Sequence, residues 1–117
     1  MKGRPKKVRI GVHTYSIEWD LEGDAEFIGE TSNAKLSIRI RPDLAFSMAQ
    51  ETLLHEILHA VWYCSSVRLN AAIDASFGGR SNEFDPEEHV IDCIDGLLLQ
   101  VLQDNVKLAA WLVATVE

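Results

Sequence analysis

Cysteine is scarce in this chain. Cys64 and Cys93 are the only two in 117 residues, too few for a disulfide framework and too widely spaced for a zinc ribbon. Both read as buried thiols of a reducing compartment. Long apolar runs are missing as well: the best candidate, residues 106–116, is broken by Lys107 and falls short of the ~20 residues that a membrane span needs. The basic start, Met1 to Arg9, leads into Val8-Arg9-Ile10 without the apolar segment of a secretory signal, so a cytoplasmic protein with no membrane association is expected. No phosphate-cradling Gly-x-x-x-x-Gly-Lys loop and no Gly-x-Ser-x-Gly elbow is present, and Gly78-Gly79 reads as a flexible turn. The acidic stretch 18–27 cannot be a calcium loop, because the sixth and twelfth positions counted from Asp20 are Ala25 and Thr31 where glycine and glutamate are required.

Positive charge is also short, with 11 Lys and Arg against 18 Asp and Glu and a net charge of −7. Five of those cations (Lys2, Arg4, Lys6, Lys7, Arg9) fall in the first nine residues, which hold no acid. The body is therefore strongly acidic, and general attraction to phosphate backbones is excluded as its mode of action. Gly3-Arg4-Pro5 has the composition of a minor-groove arm, but a solvated, flexible basic arm over residues 1–7 is the plainer reading. Apolar residues make up 47% of the chain, which supports one globular domain over 1–117.

The order of patterns is strands first and helices after. Residues 8–17 are rich in β-branched and aromatic types, with alternation at Val8, Ile10 and Val12; residues 18–27 read as a charged strand face turning near Gly23-Asp24. Phe27 to Gly29 makes a short strand, Thr31-Ser32-Asn33 a turn, and Leu36, Ile38 and Ile40 an alternating strand stopped by Pro42. Ser47-Met48-Ala49-Gln50 has the form of a capping box ahead of a helix to about Val67, with Leu54, Leu58, Val61 and Trp62 as its buried stripe. Residues 69–84 read mostly as loop, with one helical turn near Ala71 to Ala75. Asp85-Pro86-Glu87-Glu88 opens a second long helix whose apolar positions run from Val90 to Leu102, Asp104-Asn105 breaks it, and a short helix carrying Trp111 follows. The fold class is α+β, with about three strands.

His55-Glu56-Ile57-Leu58-His59 is the stretch that carries chemistry. Histidines at i and i+4 on one helix share a face one turn apart, so both imidazoles can reach one metal ion, with Glu56 beside them as a base. At this composition the pattern arises by chance in roughly one such chain in a hundred. Imidazole and carboxylate donors with an open fourth position describe a catalytic zinc site, so Zn2+ is the cofactor expected. The third ligand is sought at the start of the second long helix. At 100° per residue, Glu87 lies about 10° from the centre of the apolar stripe, Glu88 about 110°, and His89 and Asp92 about 150°. Glu87 is favoured, because a carboxylate facing inward needs a cation. Glu88 has an alternative role in the helix cap, His89 stays open, and Asp92 could orient a ligating histidine. Tyr63, Tyr15 and His13 are the residues able to steady an oxyanion, and Trp62, Tyr63 and Trp111 read as core or rim aromatics.

The helix around His55-Glu56-x-x-His59 resembles that of zincin metallopeptidases. The wider order, Leu36-Ser-Ile-Arg-Ile40, then Thr52 to Ala60, then Glu87-Glu-x-Val90 and Gly96 to Asn105, resembles small phage or prophage proteins described as SprT-like or minimal gluzincin-type. The resemblance covers most of the chain from about residue 8. It implies a short twisted antiparallel or mixed sheet packed on the active-site helix, and a second helix bearing the third ligand. It carries His55 and His59 over as ligands, Glu56 as general base and Glu87 as third ligand; a third histidine is usual in SprT-type enzymes, which keeps His89 in view. The activity implied is zinc-dependent hydrolysis of peptide bonds in a peptide or protein substrate, in the host cytoplasm for a phage-encoded chain. The strand Lys35 to Arg41 could offer an edge to an extended peptide. The alternatives are a zinc-stabilised structural or assembly factor of the same fold that does not cleave, and a helical interaction module whose histidines bind nothing.

Overall fold

The computed structural model describes residues 3–23, 27–77 and 86–117, and the side chains of all of these but 66–77, 86 and 89. Four strands come first: β1 (Lys7–Ile10), β2 (His13–Glu18), β3 (Gly29–Ser32) and β4 (Ser37–Ile40). Three helices follow, α1 (Phe46–Phe77), α2 (Pro86–Asp104) and α3 (Val106–Val113). The architecture is α+β, with four strands in place of the expected three. The sheet is mixed, in the order β1-β2-β4-β3, with β2 and β4 parallel and the two outer pairs antiparallel.

The segment read as one strand over 8–17 is a tight hairpin. Gly11 takes the positive φ of 62° that reverses the chain, and the pleat then puts Val8 opposite Tyr15. One face of the sheet is apolar: Val8, Ile10, Tyr15, Ile17, Ile38 and Ile40 are all buried. The other is polar, and on it Arg39 reaches Glu18, Asp20 and Glu30 at 3.2–3.8 Å. Helices therefore need to cover only one side.

α1 lies against β3 and β4 and α2 against β1. The face α1 buries is Leu53, Ile57, Ala60 and Val61, whereas the expected Leu54, Leu58 and Trp62 are 42%, 43% and 46% exposed. Both rows are apolar at i, i+4 spacing, so periodicity fits two adjacent faces. The row containing Ala49 and Ala60 wins because its small side chains let the helix approach the sheet closely. α1 also runs to Phe77, past the predicted stop near Val67; the stretch 68–77 holds neither glycine nor proline to end it. The predicted capping box does not form either. The helix begins at Phe46, and the Gln50 amide donates instead to the carbonyls of Trp111 and Ala114 at 2.9 and 2.7 Å, closing the end of α3. α2 opens at Pro86, α3 begins after Asn105, and the predicted cap at Asp85 lies outside the described residues.

Before β1, Arg4 stacks over the Trp19 ring at 4.5 Å and donates to the Pro42 carbonyl at 2.9 Å. The Trp19 indole donates to the Pro5 carbonyl at 2.8 Å, so part of the basic arm is held against the body. Trp111 meets both Trp19 and Phe46 edge-on at 5.6 Å, joining α3 to the start of α1. Among the described residues no helix is long and apolar enough to cross a membrane.

Candidate metal centre

His55 and His59 stand one turn apart on the side of α1 that the sheet leaves uncovered, and Glu56 between them turns inward. The two rings meet edge to face with centroids 4.6 Å apart, and their Nε2 atoms are 3.0 Å apart. That separation suits one proton shared between the rings or one cation held by both. Two imidazole nitrogens brought this close are donors of the kind zinc takes, and His55 and His59 would supply two of its ligands.

Glu56 is only 6% exposed. A buried carboxylate needs partners, and Thr31 of β3 supplies one: its hydroxyl donates to Glu56 Oε1 at 2.7 Å and lies 3.2 Å from the Glu56 carbonyl. The other oxygen, Oε2, sits 4.0 Å from His55 Nε2. Gly29 makes this arrangement possible. A methyl group there would lie 2.8 Å from Thr52 Cγ2 and 3.2 Å from both Cγ and Oε2 of Glu56.

Two cavities flank the pair. One, of about 310 Å³, is lined by Phe27, Ile28, Gly29, Met48, Glu51 and His55 among others; the second, of about 440 Å³, by Thr31, Asn33, His59, Trp62 and Tyr63. Glu56 borders both, so they form the two ends of one groove beside β3. The edge available to an extended peptide is also β3. β4, the strand expected to offer it, is hydrogen-bonded on both sides, to β2 and to β3. Because Arg41 N–H donates to the Ile28 carbonyl at 3.0 Å, alternation along the ladder turns the backbone groups of Gly29 and Thr31 outward, to the edge that no other described strand pairs with.

Of the residues proposed for an oxyanion, Tyr63 borders the groove next to His59, and His13 sits on the β1–β2 hairpin, in neither cavity. Tyr15 is wholly buried in the core, where its hydroxyl donates to Asn33 Oδ1 at 2.8 Å, so it is not a site residue. Burial, and then the neighbouring Cys64, raise its phenol above the ordinary value.

Among the described residues no third His, Cys, Asp or Glu joins the pair in a group able to hold a metal ion. Glu87 was expected to face inward, but Glu87 and Glu88 are both exposed, as is Asp92, so burial does not separate them. The His89 side chain lies outside the described residues. Sequence reasoning missed Thr31 and Gly29, which carry no motif; the only signal available was that a base on a buried helix face must be partnered by an adjoining strand.

Comparison with protein-family models, with curated proteins and with solved structures found no significant match.

Proposed function

We propose that this chain is a zinc-dependent peptidase of zincin type, with His55 and His59 as two of the metal ligands and Glu56 as general base. The observation that carries the reading is the convergence of two Nε2 atoms to 3.0 Å with a buried carboxylate oxygen 4.0 Å from one of them. The donor chemistry fits zinc, and the third protein ligand is proposed from the start of α2, with Glu87 ahead of Glu88 and His89. A bound zinc ion would lower the pKa of water towards ~7 and polarise a carbonyl oxygen.

The protein's own residues do the rest. Glu56 Oε2 accepts the proton of the attacking water and hands it to the amine released as the peptide bond breaks. The outward N–H and C=O groups of Gly29 and Thr31 hold the substrate extended along β3, with its side chains entering the cavities on either side. Tyr63 is the hydroxyl available to the developing oxyanion. The substrate class is thus an extended segment of peptide or unfolded protein. Two free cysteines support a reducing, cytoplasmic setting.

The test is metal content together with cleavage. Purified protein should carry about one zinc, and Glu56→Gln should keep the zinc while losing hydrolysis of fluorescein-labelled casein by at least ~100-fold. Zinc retained with no difference between wild type and variant would establish the non-cleaving, zinc-stabilised role; absence of zinc would sink both.

A further inference from the structure

Glu56 has two carboxylate oxygens, and only one can serve the chemistry proposed above. We infer that Thr31 is the positioning residue that decides which: by occupying Oε1 it leaves Oε2 as the oxygen presented to the reacting water. This inference rests on the peptidase reading for its catalytic consequence, but its structural half stands without it.

The Thr31 hydroxyl has a single proton and two acceptors within reach, Glu56 Oε1 at 2.7 Å and the Glu56 carbonyl at 3.2 Å. The carboxylate oxygen is nearer by 0.5 Å, at the distance of a full O–H···O hydrogen bond, and takes it. A glutamate side chain has three rotatable bonds, and in an open groove the terminal carboxylate would swing. Here it is fixed from two directions. Thr31 holds one oxygen, and β3 passes so near the other side that a Cβ at Gly29 would lie 3.2 Å from both Cγ and Oε2. Oε2 is left on the side of His55, 4.0 Å from Nε2.

The arrangement also suits a proton moving on and off Glu56. A proton received on Oε2 leaves Oε1 a carbonyl-type oxygen, still able to accept from Thr31, so the bond need not break during turnover. Gly29 and Thr31 therefore do two jobs from the same strand. Their backbones line the open edge, while the Thr31 hydroxyl and the missing Gly29 side chain set the base.

Thr31→Val keeps the shape and β-branching and removes the hydroxyl, and Thr31→Ser restores it. With zinc-loaded protein and fluorescein-labelled casein, Thr31→Val is expected to lower kcat by roughly 10- to 100-fold with KM and zinc affinity within about threefold of wild type. Thr31→Ser should recover most of the loss. Unchanged kcat in Thr31→Val, a serine variant no better than valine, or parallel loss of zinc affinity would overturn the inference.

A second measurement does not depend on cleavage. Crystal structures of metal-free wild type and Thr31→Val should show one Glu56 carboxylate orientation in the first, and two or more, or a rotated one, in the second. The same single orientation in both would refute the positioning role. Should wild type bind no zinc or cleave nothing, the peptidase reading fails by itself, and this comparison still decides whether Thr31 orients Glu56.

Discussion

Glu56 is buried on the same helix whose next residue row carries two exposed histidines, and the difference rests on Gly29 and Thr31. Any side chain at position 29 would press on Thr52 and on the carboxylate, so Gly29→Ala is expected to cost about 1–3 kcal/mol as overpacking. Urea unfolding measures this directly, and a cost near zero would mean that β3 sits farther from α1 than its contacts indicate. Tyr15 supplies a pH test of the core. Its folded phenol keeps its proton at a pH where an unfolded tyrosine has released it, so the stability it adds is complete below about pH 10 and is lost as pH climbs through the raised folded value. Wild type should weaken between pH 10 and pH 12, measured by urea unfolding, while Tyr15→Phe should start about 1 kcal/mol lower at neutral pH and show less of that alkaline decline. Equal alkaline slopes would place the titration elsewhere.

At the level of elements, legibility in the sequence followed how much of the local pattern was unique. β4 was readable from the alternation of Ile38 and Ile40, although Leu36 sits before the strand at a φ of 53°, and α2 from the helical spacing of its apolar residues, although Ile91 and Leu102 of the expected stripe are exposed. The His55-Glu56-x-x-His59 face was readable because helix geometry alone puts i and i+4 together. α1 was harder, since Leu53 and Leu54 begin two equally apolar rows and only the tertiary approach to the sheet chooses between them. β3 was almost illegible: Gly29-Glu30-Thr31-Ser32 has weak strand propensity, and it becomes a strand because β4 offers it a ladder and Arg39 meets Glu30 across it at 3.7 Å. The chosen face of α1 can be tested by paired truncation. Leu53→Ala should cost about 2–5 kcal/mol, as a fully buried leucine does, while Leu54→Ala, 42% exposed, should cost clearly less. The reverse order in urea midpoints would restore the stripe read from periodicity.

Across the whole molecule, the two edges of the sheet are treated differently, and that asymmetry aims the groove. On β1, the outward backbone of Arg9 is met by amide side chains: Arg9 N–H donates to Asn105 Oδ1 at 2.9 Å, and Asn105 Nδ2 and Gln100 Nε2 donate to the Arg9 carbonyl at 3.0 and 3.1 Å. Gly11 N–H donates to Gln100 Oε1 at 2.7 Å. Two side chains from the α2–α3 corner thus take the place of a fifth strand and blunt that edge against association. Among the described residues β3 pairs only with β4, leaving the outward groups of Gly29 and Thr31 to the groove beside Glu56 and the histidines. Amide hydrogen exchange should register the contrast without any assay of activity. Arg9 and Gly11 should exchange slowly despite lying at an edge, Glu30 and Ser32 slowly because they bond to β4, and Gly29 and Thr31 fast. Asn105→Ala should release Arg9 and leave β3 unchanged. Adding an extended, uncleavable peptide to the wild-type protein should then slow Gly29 and Thr31 selectively; if they are already slow in the free protein, or stay fast in its presence, substrate does not lie along this strand.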